Sequence, residues 1–191
     1  MSIFNYYPKI TYNNIYSINI VVEAEVIQQY LKDYTKFYTY IIRDNERADI
    51  VASKVYGDAS LDWIIYLCNR VIDPYKDWIM NDKDFIAYVE NKYNISAYKL
   101  ASTLNNDTIA YYEYTGLPSD TEAEIASYNY TMSPFTYDRL GSPAGWTAKS
   151  IWEVETEKNE AKREIQILKP AFINNFKQQI RDLFSNGWTR I

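Results

Sequence analysis

The chain has 191 residues, a formal net charge of −5, one cysteine and no histidine. That length suffices for one substantial domain or a small domain with appendages. The lone cysteine excludes an internal disulfide, and the missing histidine removes the commonest general base, the Ser-His and Cys-His nucleophile arrangements and most zinc sites.

In chain order, residues 1–22 read as an extended arm rich in aromatic and β-branched side chains, and Glu23–Tyr34 as a short amphipathic helix with Val26, Ile27, Tyr30 and Leu31 on one side. An arm that cannot bury its own aromatics docks on something. Phe37–Arg43 is rich in β-formers and reads as a strand. Ala48, Val51, Ala52, Val55 and Tyr56 then recur at the spacing of one helix face, with Asp44 or Asn45 as the expected N-cap and Gly57 just past the end. A second helix follows Asp58, with Ser60 as a plausible cap. Its run Leu61, Trp63, Ile64, Ile65, Leu67 and Cys68 is apolar nearly all round, which marks a buried helix. Cys68 on it reads as a small buried hydrophobe rather than a reactive thiol. Asn69 leaves the helix, Asp73-Pro74 marks a turn, and Trp78-Ile79-Met80 offers a short return strand. The expected order is strand, helix, helix, strand.

Phe85–Tyr93 reads as a further helix whose Phe85, Tyr88, Val89 and Tyr93 close over that core. Residues 96–150 mix strand-like alternation (IAYYEYTG) with Ser, Pro and Gly clusters (MSPFTYDRLGSPAGW), as in a loop-rich insertion with a hairpin or two. Ile151–Arg163 is charged and helix-favouring, with Glu153, Glu157 and Lys158 on a solvated face. Arg163–Leu168 alternates like a strand. Pro170 opens a last helix whose stripe of Phe172, Ile173, Phe176, Ile180, Leu183 and Phe184 ends at Asn186-Gly187. That stripe needs a cover, either the chain's own core or a neighbouring subunit.

Little in the sequence performs chemistry. Asp73, Asp77, Asp82 and Asp84 lie close enough to consider a glycosidase pair or a calcium loop, yet the segment lacks the glycine and the spaced final glutamate of an EF-hand, and turn and helix-start roles explain the acids. No glycine-rich phosphate loop occurs, no apolar run reaches about 18 residues as a membrane span would, and the scattered basic residues do not form the stripe that nucleic acid requires. Tyrosine stands out with 20 copies beside 5 tryptophans and 7 phenylalanines, which fits either interface chemistry or drift toward AT-rich codons.

The set Arg47, Asp49, Ala52, Tyr56, Gly57, Asp58, Leu61, Trp63, Asn69, Asp73 and Pro74 resembles the LysM-like module of contractile-tail phage proteins. Independently, Trp152–Phe184 resembles the C-terminal segment of the LysM-like baseplate wedge proteins of T-even-like phages, through Glu153, Asn159, Glu160, Lys162, Arg163, Ile165, Leu168, Lys169, Ile173, Phe176, Ile180 and Leu183. Phe4–Tyr12 is similar to that family's opening. The resemblance implies an α+β fold: a small LysM-like βααβ core at 36–95, an N-terminal arm and short helix at 1–35, a loop-rich/β insertion at 96–150 and a C-terminal strand-helix segment at 151–191. It also implies a non-enzymatic subunit of the tail baseplate, made in the host cytoplasm, without cofactor, metal, small-molecule substrate, nucleic acid or membrane. Such a subunit binds other baseplate wedge proteins and helps join neighbouring wedges around the hub. A LysM-type peptidoglycan-binding module is the alternative. The expected interface residues are Phe4, Tyr6, Tyr7, Tyr12, Arg47, Asp73, Pro74, Tyr75 and Trp78, with the outer side of the last helix.

Overall fold

The computed structural model describes residues 6–7, 9–18, 33–117, 121 and 130–185. In chain order these form β1 (Lys9–Tyr12), β2 (Ile15–Ile18), β3 (Phe37–Ile41), α1 (Ala48–Tyr56), α2 (Asp62–Cys68), α3 (Asp82–Tyr93), α4 (Ala97–Leu100), β4 (Ile109–Tyr114), β5 (Thr131–Met132), α5 (Pro134–Arg139), β6 (Trp146–Ser150), α6 (Ile151–Glu160), β7 (Glu164–Leu168) and α7 (Ile173–Ser185). The fold is mixed α+β with small antiparallel sheets. The helix expected at Glu23–Tyr34 lies outside the described residues except at its end, where Tyr34–Lys36 is a 3-10 turn.

Two compact units divide the chain: residues 1–79 with 162–191, and 80–161. The division falls at 79/80 and 161/162, and the return strand expected at Trp78–Met80 does not form. Its place beside β3 is taken by β7, paired antiparallel from Phe37↔Leu168 to Ile41↔Glu164. The physical reason lies in Trp78, whose ring is buried and whose Nε1 donates to the Glu46 carbonyl at 2.9 Å. That anchors an irregular segment, while the alternating EIQIL of β7 fits the pleat with Ile165 and Ile167 inward.

In the first unit α2 separates two apolar clusters, which is why it is apolar nearly all round. Trp63, Ile64 and Cys68 face Tyr6, Phe37, Leu168, Ile173, Phe176 and Ile180. Ile65 faces Ile42, Ala48, Val51, Ala52, Trp78, Ile165 and Ile167. Trp63 stacks on Phe176 with centroids 6.3 Å apart, and Tyr6 tilts against it at 5.5 Å. The α7 stripe is therefore covered from within the chain at Ile173, Phe176 and Ile180; Asn186-Gly187 lies outside the described residues. Gly57 ends α1 at φ 72 as expected, but the cap at the start is Arg47, without a side-chain bond, and Asp58 rather than Ser60 accepts the amide that opens the next turn. Asn13-Asn14, both at positive φ, form the tight β1–β2 turn.

Asn69 joins α2 to β7. Its amide donates to the Ile65 and Gln166 carbonyls at 2.8 and 2.9 Å and its carbonyl accepts the Gln166 N–H at 2.8 Å, so one side chain fills the outer edge of β7 as a neighbouring strand would.

In the second unit Phe85 and Val89 of α3 pack with Leu100 and, less deeply, Tyr88, Tyr93, Ile151 and Trp152. The four side chains expected to close over the βααβ core serve this separate cluster instead. Strands β5, β4 and β6 form a three-stranded sheet in that order. The Ser-Pro cluster read as loop contains α5, because Ser133 caps it and Pro134 sits in its first turn, where the missing N–H costs nothing. Asn159 donates to the Met80 carbonyl at 3.1 Å and accepts the Met80 N–H at 3.0 Å, tying the two ends of this unit together.

Two substitutions test the Asn69 clamp. Asn69→Ala is expected to cost about 1–3 kcal/mol in urea unfolding. Asn69→Asp costs more, since a carboxylate then faces two carbonyl oxygens; equal stability of Asn69→Asp and the parent chain contradicts the clamp.

Candidate protein–protein interface

The segment from Ile72 to Trp78 is irregular but tightly bonded. The Asp77 carboxylate accepts the N–H groups of Ile72 and Asp73 at 2.9 and 2.8 Å, and Asp77 donates its own N–H to the Asp73 carbonyl at 2.7 Å. The Asp73 side chain accepts the Tyr75 N–H at 3.0 Å, and the Lys162 ammonium reaches the Lys76 carbonyl. The amides of Asp73 and Ile72 hold the Asp77 carboxyl below its usual range. Behind the turn Trp78 is 7% exposed and meets Tyr66 edge-on at 5.8 Å. In front, Ile72 and Tyr75 are 90% and 88% exposed. A loop this constrained holds two large apolar side chains in water, an arrangement typical of contact surfaces.

Arg47 sits beside the start of α1, exposed, with its guanidinium paired to Asp49 at 2.8 and 3.2 Å. An exposed pair of this kind adds little stability. The β1–β2 hairpin displays Ile10, Ile15, Tyr16 and Ile18, with the Lys9 ammonium 6.0 Å from the Tyr16 ring. A two-stranded ribbon is marginal in water on its own.

The nine expected interface residues thus separate. Asp73, Pro74 and Tyr75 come together in the turn and Arg47 is exposed. Tyr6 and Trp78 are buried and act in the chain's own core, because their rings fill space beside Trp63 and Tyr66. Tyr7 packs partly buried against the first cluster, Tyr12 pairs with Ile15 at the end of β1, and Phe4 lies outside the described residues. On the outer side of α7, Gln178, Arg181 and Asp182 are exposed and bonded to one another, and the Arg181 guanidinium lies 5.4 Å from the Tyr6 ring.

Two buried carboxylates escaped sequence reading. Glu46 accepts from the Tyr40 hydroxyl at 3.0 Å, from the Arg43 N–H at 3.0 Å and from the Lys54 ammonium. Burial pushes its carboxyl up, but those three donors outweigh burial and hold it below the ordinary value of 4.5. In the second unit Glu155 accepts from Lys158 at 2.8 Å and from Lys92 and Tyr93 at 3.1 Å, with the same balance of burial against donors. Both glutamates stand in charged, helix-compatible stretches, so only their partners betray burial. Burial pushes the Cys68 thiol up to about 12, which leaves it inert. Asp82 and Asp84 open α3 behind the Asn81 cap, and among the described residues no group of acidic or cysteine side chains converges as a metal site.

A family model described as Base plate wedge protein 53 matches residues 2–183. The baseplate wedge protein gp53 of Enterobacteria phage T4 is 26% identical over 172 residues, covering 82% of this chain and 81% of that one.

The Glu46 network sets an acid limit on stability. A carboxyl with a lowered folded pKa contributes fully above its unfolded value near 4.5 and loses that contribution as pH falls through the lower folded value. Thermal melts are expected to fall below pH 4.5, and Glu46→Gln should be less stable at pH 7 and show a shallower acid decline. A parallel decline in both chains removes Glu46 as a cause.

Proposed function

Since the chain belongs to the base plate wedge protein 53 family, and so to the phage tail baseplate, we propose that it is an assembly subunit binding other wedge proteins and helping join neighbouring wedges around the hub. The observation that carries this reading is the rigid 72–78 turn, which keeps Ile72 and Tyr75 in water at the surface of an otherwise satisfied loop. The mechanism is contact rather than turnover: apolar area at the turn and the hairpin is removed from water on docking, at roughly 25 cal/mol per Å². Arg47, Asp73, Pro74 and Tyr75, with Ile72 beside them, form the proposed contact set.

The β3, α1, α2, β7 core is read as a LysM-like module reused for protein contact. Its element order, the left-handed Gly57 cap, the Trp63 helix and the Asn69 clamp support that assignment. The second unit enters this module between α2 and β7, and its exposed Phe135, Leu140 and Tyr130 make it a candidate carrier of partner-specific contacts.

In vitro complementation of tails assembled without the chain tests the reading. Ile72→Ser with Tyr75→Ser should leave the melting temperature within about 0.5 kcal/mol equivalent of the parent, as exposed sites do, while lowering incorporation at least tenfold. Unchanged incorporation rejects the turn as a contact, and cosedimentation with purified peptidoglycan at the level of a wall-binding module rejects the assembly reading.

A further inference from the structure

The β3–β7 sheet has two edges that the chain treats differently. Lys169 donates its N–H to the Lys36 carbonyl and Ile42 donates to the Arg163 carbonyl, both at 2.9 Å, so the backbone groups of even-numbered residues 36 to 42 face β7. In an antiparallel strand the odd-numbered residues then face the opposite way. On the β7 side, the outward groups of Gln166 are filled by the Asn69 side chain. On the β3 side, the N–H and C=O groups of Thr39 and Ile41 make no hydrogen bond among the described residues. Thr39 is exposed and Ile41 is 56% exposed.

Chains protect such edges with lysine, proline, a bulge or a covering loop. The β3 sequence FYTYI has no charge and no proline, and its register with β7 runs without a break. Two residues beyond the strand, Arg43 is exposed, and its guanidinium makes no ion pair among the described residues, although Lys36 at the other end is paired to Asp33 at 3.1 Å. Among the described residues, the edge therefore ends in one cation without an ion-pair partner.

From this we infer that β3 accepts an added strand: an extended segment of another baseplate protein, with apolar side chains along Ile41 and an acidic residue opposite Arg43. The backbone groups of Thr39 and Ile41 supply the hydrogen bonds, the mode by which extended peptides join open sheets. The inference rests on the assembly reading above and names one surface and one kind of partner for it. The charge complement selects this occupant over a second copy of the chain, whose Phe37–Ile41 strand carries no acidic residue to set against Arg43.

Amide hydrogen exchange at single-residue resolution, on the free chain and on purified tails containing it, tests the inference. In the free chain the Thr39 and Ile41 amides should exchange at least tenfold faster than those of Tyr38 and Tyr40, and in tails all four should be slow. Fast Thr39 and Ile41 amides in tails that contain the chain overturn the added strand and leave the assembly reading intact; failure of the chain to enter tails overturns both. A dimeric free chain with these amides already protected assigns the edge to a second copy and rejects the proposed partner. Thr39→Pro removes only an outward N–H and spares the ladder, so it should melt with Thr39→Ala yet enter tails at least tenfold less. Equal entry of the two variants rejects the edge, and if Thr39→Pro does not fold, the exchange result on the parent chain decides.

Discussion

The first unit depends on one long-range pairing, β3 against β7, which no local segment can supply. Closing a loop of that length costs conformational entropy that grows slowly with its length. The chain limits the burden by folding the intervening residues into a unit of their own, with Met80 and Asn159 hydrogen-bonded at its two ends. Once β7 is in place it is held on both edges, by β3 and by Asn69. Arg163 adds a third tie, donating to the Ile42 carbonyl at 2.9 Å and to Asp44 at 2.8 Å.

Around that pairing the hydrophobic work is shared between two clusters with α2 between them. Their separation explains why a seven-residue helix carries four buried side chains, and why α7 docks through Phe176 on Trp63. Removing a side chain as large as Phe176 from such a site costs about 3–5 kcal/mol in general. The buried glutamates play a different part. Glu46 links β3, the loop before α1 and α1 itself, while its carbonyl receives Trp78. A buried charge is tolerable there only because each oxygen is occupied. Glu155 links α3 to α6 in the same manner within the second unit.

Rigidity and exposure coincide at the surface. The 72–78 turn is bonded internally and anchored by Trp78, so its backbone holds Ile72 and Tyr75 in fixed positions at the surface. The β3 edge is likewise preformed.

Much of this was legible in the residues. Period located α1, α2, α3, β3, β4, β7 and α7, with Gly57 marking the end of α1, because those signals are local, although the N-caps expected at Asp44 or Asn45 and at Ser60 are not the ones that form. The buried fate of Cys68 followed from an apolar helix, and the Asp73-Pro74 turn from backbone sterics. Other outcomes were not local. Trp78 reads as a strand residue or an interface residue until Glu46 offers its carbonyl, and Glu46 and Glu155 read as surface acids until three donors converge on each.

The sequence by itself determined the longer helices, the Asp73-Pro74 turn and the family resemblance, since these rest on spacing within a few residues, whereas the short helices at Ala97–Leu100 and Pro134–Arg139 read as loop. Only the tertiary structure decided that β7 and not Trp78–Met80 pairs with β3, that residues 80–161 form a separate unit, and that among the described residues the outer edge of β3 is unpaired while Asn69 fills that of β7. Strand pairing satisfies backbone groups between distant segments, and no periodicity along the chain records which segments those will be.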